Sequence, residues 1–449
     1  MGRRPPLRPA ITGETTIPTQ LIDVRTPVDH AVLVGAPDRD LDPRLADEHL
    51  EELARLTDTA GGQVVGTLRQ RLDRPNPRFY IGEGKAEELK ELVASSEADL
   101  VIFDEELSPA QGKNLEELLE VRVMDRSELI LDIFATRARS KEARMQVELA
   151  QLEYLLPRLR RMWSHLSRIR GGIGLRGPGE TQLETDRRLI GTRIADLKSK
   201  LRDVAKAREV QRKSRAGQFR VSLVGYTNAG KSSMLRALSG ADLFVEDRLF
   251  ATLDSATRSV DLGGSYEALV TDTVGFIRKL PHHLVASFRS TLEEARQADV
   301  LLHVIDASHP DREEQRQVVT EVLHDLGLDE QELILAFNKI DRLDPEALAS
   351  LKERVRAFDA DPAVFVSAMQ PDSLAPLRDT LKARMRARLA HVRVEVPVTD
   401  GEALAALYRE GEVMEREDRN GVVAVTARLP AAVRGRLQAR SGVKVEDVR

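Results

Sequence analysis

The chain has no cysteine at all. That excludes disulfides, zinc–thiolate sites and any thiol nucleophile, and it fits a reducing cytoplasm. Aromatic residues make up 4% of the chain, with a single tryptophan, which argues against a broad base-stacking surface for single-stranded nucleic acid. No stretch of about eighteen uncharged apolar residues occurs, so no membrane span is expected. The start, Met1-Gly2-Arg3-Arg4-Pro5-Pro6, has no apolar core behind its arginines and does not read as a signal peptide. What the chain does have is 449 residues, 41% hydrophobic and 31% charged, which is material for about three cores of ordinary size.

The formal net charge is −5, but the charge is segregated. Residues 135–220 hold 22 Lys and Arg against 9 Asp and Glu, which leaves the remainder strongly acidic. Between Tyr154 and Gly179 lie Arg158, Arg160, Arg161, Arg168, Arg170 and Arg176, with no acid among them. Such a block suits a polyanion, while the acidic remainder resists indiscriminate nucleic-acid binding. These six arginines are the candidate RNA contacts. A solvated helical face is the competing reading of any charge run.

Hydrophobic periodicity divides the chain. Residues 1–20 read as a loose tail. Residues 21–135 alternate apolar runs (Ala31–Val34, Val64–Leu68, Leu100–Phe103, Val121–Met124) with helical patterns, as in a small parallel α/β domain. Residues 136–215 carry Met145, Leu149, Leu152, Leu156, Leu159, Trp163 and Leu166, then Leu183, Ile190, Ile194, Leu197, Leu201 and Val204, all in heptad spacing. The connector Gly171–Gly179 cannot be helix, so this block reads as an antiparallel coiled-coil hairpin with a glycine-rich tip and a kink at Pro157. A rigid spacer is the alternative use of such a rod. Residues 218–388 present five buried-strand runs, Val221–Gly225, Ala268–Asp272, Val300–Asp306, Leu333–Asn338 and Val364–Ser367, and predict a doubly wound α/β domain. Residues 389–449 read as a small α+β domain.

The strongest motif is Gly225-Tyr226-Thr227-Asn228-Ala229-Gly230-Lys231-Ser232, a phosphate loop that follows a strand and opens a helix. Its glycines let backbone N–H groups close around phosphates, and the helix N-terminus adds its positive end. Lys231 is expected at the β- and γ-phosphates and Ser232 at Mg²⁺. Asp272-Thr273-Val274-Gly275 ends a later strand. There Asp272 is expected to hold Mg²⁺ through water, and the Gly275 N–H to meet the γ-phosphate. The loop Phe250-Ala251-Thr252-Leu253-Asp254 is expected among the nucleotide contacts, and in it Thr252 rather than Thr257 is expected to complete the metal shell. Both loops would be ordered by the γ-phosphate and loosened on hydrolysis.

The base is read by Asn338-Lys339-Ile340-Asp341. The Asp341 carboxylate matches guanine's N1–H and exocyclic amino group, and adenine would leave it unpaired. Asn338 is expected at the other edge of the base, the Lys339 stem over its face, and a backbone N–H of Val366-Ser367-Ala368 at its oxygen. The residue after Gly275 is Phe276, where many GTPases carry a water-positioning Gln, so intrinsic hydrolysis should be slow. His282 and His283 follow it and read as surface residues rather than bases. Gly82-Glu83-Gly84-Lys85 opens a helix; it reads as a helix-start turn and is too short for a second phosphate loop of the usual type, with a cradle for a phosphate of RNA or of a second nucleotide as the alternative.

These motifs resemble the translation-factor-like GTPases. Tyr80–Lys85, Gly171–Gly179 with Glu180–Asp186, and Phe250–Asp254 with Asp272–Phe276 make the chain from about Thr19 to Arg449 similar to the HflX family of the OBG-HflX-like superfamily. The resemblance implies a cytoplasmic GTPase that binds the large (50S) ribosomal subunit and acts in splitting or rescue of ribosomes or in subunit biogenesis. It also implies two sources for the missing catalytic group: ribosomal contacts, or a K⁺ ion held with help from Asn228. A hairpin seam satisfied within one chain predicts a monomer. A regulatory GTPase whose hairpin binds a protein is the alternative. A GTPase coupled to tRNA modification would call for a catalytic cysteine, which this chain lacks.

Overall fold

The computed structural model describes residues 29–162, 178–213, 218–241, 248–264, 266–280, 294–419 and 421–448. The first unit is a four-stranded, all-parallel sheet of β1 (His30–Gly35), β2 (Gln63–Arg69), β3 (Leu100–Phe103) and β4 (Arg122–Asp125), in the order β2-β1-β3-β4. All four residues of β3 are buried, as a parallel strand covered on both faces requires. Helices α1 (Pro43–Ala60), α2 (Glu83–Ser95) and α3 (Pro109–Leu119) join the strands. Asp42 caps α1 by accepting from the Arg44 N–H, and Ser108 with Gln111 forms a full capping box on α3. The sequence pattern ran from β4 straight into the hairpin. The structure inserts a further helix, α4 (Arg126–Arg137), capped by Asp125.

Two long helices follow, α5 (Lys141–Met162) and α6 (Pro178–Lys213). They pair through Glu148–Arg193 (2.6 Å) and Glu153–Lys198 (2.7 Å). α5 runs on through Pro157. The seam differs from expectation on this helix. Its most buried stripe is Ala143, Val147, Ala150 and Tyr154, which shares a core with Leu129, Ile130 and Phe134 of α4. Of the heptad frame, Leu149 is buried and Met145, Leu152 and Leu156 are half-buried. The reason is that α5 has two apolar neighbours, the first unit with α4 on one side and α6 on the other, and divides its burial between them. On α6, Leu197 is buried and Ile190, Ile194, Leu201 and Val204 are half-buried, as a seam requires. The tip, with Arg168, Arg170 and Arg176, lies outside the described residues, as do the side chains of Arg160 and Arg161.

The second sheet contains β5 (Phe219–Val224), β6 (Ala256–Gly263), β7 (Tyr266–Asp272), β8 (Val300–Asp306), β9 (Leu333–Asn338) and β10 (Ala363–Phe365), in the order β10-β9-β8-β5-β7-β6. Five strands are parallel and β6 runs antiparallel at the edge. β6 escapes the sequence pattern because most of its residues are not buried. Helices α7 (Lys231–Ser239), α8 (Arg312–Asp325), α9 (Pro345–Phe358) and α10 (Ala375–Ala387) belong to this unit. Its core is not closed on itself. Tyr226, Phe250, Leu253, Val274, Phe276 and Ile277 share one apolar cluster with α4 and α5.

The last unit runs β11 (Ala390–Pro397), α11 (Gly401–Glu410), β12 (Glu412–Arg419), β13 (Val422–Leu429), α12 (Ala431–Gln438), β14 (Lys444–Asp447), with strand order β12-β13-β11-β14. This is the split βαβ arrangement, antiparallel throughout. Among the described residues no helix is long and apolar enough to cross a membrane.

Candidate functional site

β5 delivers the chain into the phosphate loop at the carboxyl edge of its sheet, where such sheets bind ligands. Two glycines are required there. A Cβ on Gly225 (φ +151°) would lie 2.3 Å from the Val304 carbonyl oxygen, and one on Gly230 (φ +94°) 2.3 Å from Asn338 Nδ2. Between them Asn228 adopts φ 60°, the left-handed region that asparagine tolerates better than most residues with a side chain. Lys231 starts α7, and its buried Nζ donates to the carbonyls of Gly225 (3.1 Å) and Tyr226 (2.9 Å). Burial lowers its ammonium pKa to about 8, against the opposing pull of Asp272.

The three oxygens expected around a metal come together. Ser232 Oγ lies 2.6 Å from Thr252 Oγ1 and donates to Asp272 Oδ2 at 2.6 Å. Asp272 Oδ1 is buried and lacks a hydrogen-bond partner. Burial pushes this carboxyl up, while Lys231 and Ser232 draw it back. A hard oxygen set with one orphaned carboxylate oxygen suits Mg²⁺. Thr257 instead meets Thr271 across β6 and β7, at 2.9 Å. Gly275 packs so closely that a Cβ would stand 2.7 Å from Thr227 Cα and 3.0 Å from Lys231 Nζ. Phe276 N donates to Gly225 O (3.1 Å), and Thr227 N donates to Phe276 O (2.7 Å). The phosphate loop and the Asp-x-x-Gly loop are therefore laced by backbone, and the buried Phe276 ring offers no polar group to a water.

At the base end the buried Asn338 amide donates to Ala229 O (2.9 Å) and its carbonyl accepts from Ala368 N (3.0 Å), so it ties the phosphate loop to the Ser367-Ala368 loop while also lining the cleft that Asp341 and Lys339 face. Lys339, at φ 62°, donates to Asn228 O (2.8 Å) and pairs with Asp306 (2.7 Å). Val366 is fully buried and its N–H donates to Phe337 O, so it braces the loop from beneath. Asp341 accepts from the Ser367 hydroxyl at the mouth of a cleft of about 810 Å³ that Asn228, Gly230, Lys339 and Ala368 also line.

Asp254 is the clearest correction. It belongs to the loop expected at the nucleotide, yet its side chain points away to the foot of α5. Its carboxylate accepts from the N–H groups of Arg139 (3.1 Å) and Ser140 (3.0 Å) and from the Ser140 hydroxyl. Phe250, in the left-handed region at φ 53°, buries its ring edge-to-face on Phe134 of α4, with centroids 4.6 Å apart. Arg158 is also corrected. It pairs with the buried Asp125 (2.8 Å), donates to Leu107 O (3.0 Å) and lies 3.4 Å over the Tyr154 ring, so it fastens α5 to the first unit. His282 and His283 lie outside the described residues. Gly82 serves as the N-cap of α2 and Lys85 pairs with Glu88, an ordinary helix start.

A buried ionic cluster escaped the sequence reading. Tyr226 Oη donates to Glu52 and accepts from Arg278 N (3.0 Å). Glu52 also pairs with Arg126, whose guanidinium reaches Asp104 (2.8 Å), and Asp104 takes Arg278 (3.2 Å) and Lys279 (2.9 Å) as well. Burial alone would raise the Asp104 carboxyl, but Arg126, Arg278 and Lys279 outweigh it and hold the group far below the usual range. These partners are separated by up to 175 residues, so no local pattern announces them.

Residues 47–135 match the family described as "GTP-binding GTPase N-terminal", 137–215 "GTP-binding GTPase Middle Region", and 220–339 "50S ribosome-binding GTPase". The chain is 46% identical over 394 residues to the GTPase HflX of Caldanaerobacter subterraneus subsp. tengcongensis, covering 87% of this chain and 90% of that one. It is 41% identical over 432 residues to the protein of that name from Magnetococcus marinus (95% and 99% covered). The corresponding Escherichia coli K12 protein is 43% identical over 389 residues (85% and 90% covered).

Proposed function

The chain belongs to the HflX family of GTPases, and from that premise we propose that it uses GTP binding and hydrolysis to govern association with the large ribosomal subunit, as a cytoplasmic monomer acting in ribosome splitting, rescue or subunit biogenesis. The observation that carries the nucleotide half is the convergence of Ser232, Thr252 and Asp272 beside Lys231. In this reading the loop amides of Asn228–Ser232 and Lys231 take the β- and γ-phosphates. Mg²⁺, when bound, neutralises developing charge on the phosphates. Ser232 and Thr252 would hold it directly and Asp272 through water. The Gly275 N–H meets the γ-phosphate, and Asp341 selects guanine. Phe276 leaves the attacking water unoriented, so we assign the missing contribution to ribosomal contacts that order the two loops. A K⁺ ion near Asn228 is the competing source, and equal rates in K⁺ and Na⁺ would remove it.

The ribosomal half is supported by the match of residues 220–339 to a ribosome-binding family and by the acid-free arginine run at the hairpin. Arginines hold phosphates bidentately and stack on exposed bases, and glycines at a tip allow close backbone approach to RNA. Sedimentation with purified large subunits tests the proposal. The protein should co-sediment with a non-hydrolysable GTP analogue and be released with GDP. Equal attachment under both nucleotides refutes a nucleotide-governed role.

A further inference from the structure

We propose that Asp254 and Ser140 are positioning residues for GTP hydrolysis, and that they hold Thr252 in place from the foot of α5. The inference rests on the reading of Thr252 as a metal ligand. The loop that carries Thr252 has no helix or strand of its own, and such segments are the first to open unless tied down. Here it is tied at two points. On one side Phe250 donates its N–H to Thr227 Oγ1 (2.9 Å) and sinks its ring against Phe134. On the other, Asp254 receives three hydrogen bonds from Arg139 and Ser140. Thr252 lies midway between the two anchors and faces Ser232.

The second anchor is strong for physical reasons. Bonds to an ionised carboxylate are roughly twice as strong as neutral ones. Ser140 is also the residue that opens α5, since its hydroxyl accepts from Ala143 N (3.0 Å) and its carbonyl from Arg144 N (3.1 Å). A carboxylate at that point meets the positive end of a long helix. The contact joins positions 114 residues apart, so a residue outside the GTPase sheet completes the geometry of the reaction. By linkage, whatever holds Thr252 on its metal also steadies the foot of the arm, and the reverse.

The test uses the full chain and two readouts: release of a fluorescent non-hydrolysable GTP analogue with and without Mg²⁺, and steady-state kcat and KM. Asp254→Ala should lower kcat about tenfold with little change in KM, and should cut the Mg²⁺-dependent slowing of analogue release by a similar factor, as expected of a lost positioning group. Release without Mg²⁺ should match the wild type. Asp254→Asn, which keeps an acceptor oxygen, should recover part of both effects. Ser140→Gly, at an exposed position, should show the same pattern in weaker form and serves if Asp254→Ala fails to fold. Thr252→Ala is the reference. If it loses the Mg²⁺ effect while the Asp254 and Ser140 variants keep it, the positioning role is wrong and the metal assignment stands. If Thr252→Ala keeps the effect, the metal assignment falls and this inference with it.

Discussion

Lys231 shows how a single residue is set for its task. Its amine is sealed among the carbonyls of its own loop, and burial draws its pKa down to about 8. Phosphate binding favours the charged form, so the bound ammonium titrates higher than the free one. Affinity for a GTP analogue should therefore fall as pH rises above about 8, approaching a tenfold loss per pH unit. Isothermal titration between pH 7 and 9.5 checks this, and a flat profile would show that the amine stays charged in the nucleotide-free protein. At this scale the motif residues were legible in the sequence: the loop glycines, Lys231, Ser232 and the choice of Thr252 all follow from chemistry that local spacing reveals. Asp254 is the residue whose place the local pattern does not reveal. Its short polar side chain bonds backbone as readily as ligand, and only the fold decides which is within reach.

Among the elements, α5 gave the least reliable sequence signal. A heptad frame identifies a helix with an apolar stripe, but not which of two neighbours takes the stripe. The existence of the helix was clear, whereas its orientation and the separate helix α4 were not. Arg158 follows from that. With its guanidinium on the buried Asp125 and the Tyr154 ring, Arg158→Ala should destabilise the protein by about 1.5–3 kcal/mol, the usual worth of a hydrogen bond to a charged group. The salt dependence of ribosome binding should stay unchanged in that variant. The triple substitution of Arg168, Arg170 and Arg176 by Ala should do the opposite and flatten the salt dependence without lowering Tm. Thermal denaturation beside sedimentation at graded salt separates the two. Coincident effects would mean that the arginine run acts as one surface.

The whole molecule is joined by contacts that no segment foreshadows. Beside the ionic cluster, α1 brings Glu48 against Asp311, with Arg55, Glu51 and His309 around the pair. Burial and the neighbouring Asp311 raise the Glu48 pKa to about 7, above its ordinary 4.5. The folded protein therefore holds a proton there that the unfolded chain has already released. This contribution favours folding below about 4.5 and is lost as pH climbs through about 7. Glu48→Gln should remove that slope, and melting curves from pH 5 to 8 would reveal it. A variant slope equal to the wild type's would place the titration elsewhere.

The bond between Asp104 and Arg278 has a consequence for biosynthesis. The polypeptide emerges from its N-terminus, so the leading sheet is complete long before the side chain 174 residues downstream is made. During that interval Glu52 and Asp104 have only Arg126 to balance them, and the nascent domain exposes a half-filled anionic socket. Docking of the nucleotide-binding sheet thus fills a socket that the earlier domain has already shaped, with Arg278 and Lys279 as the charges that complete it.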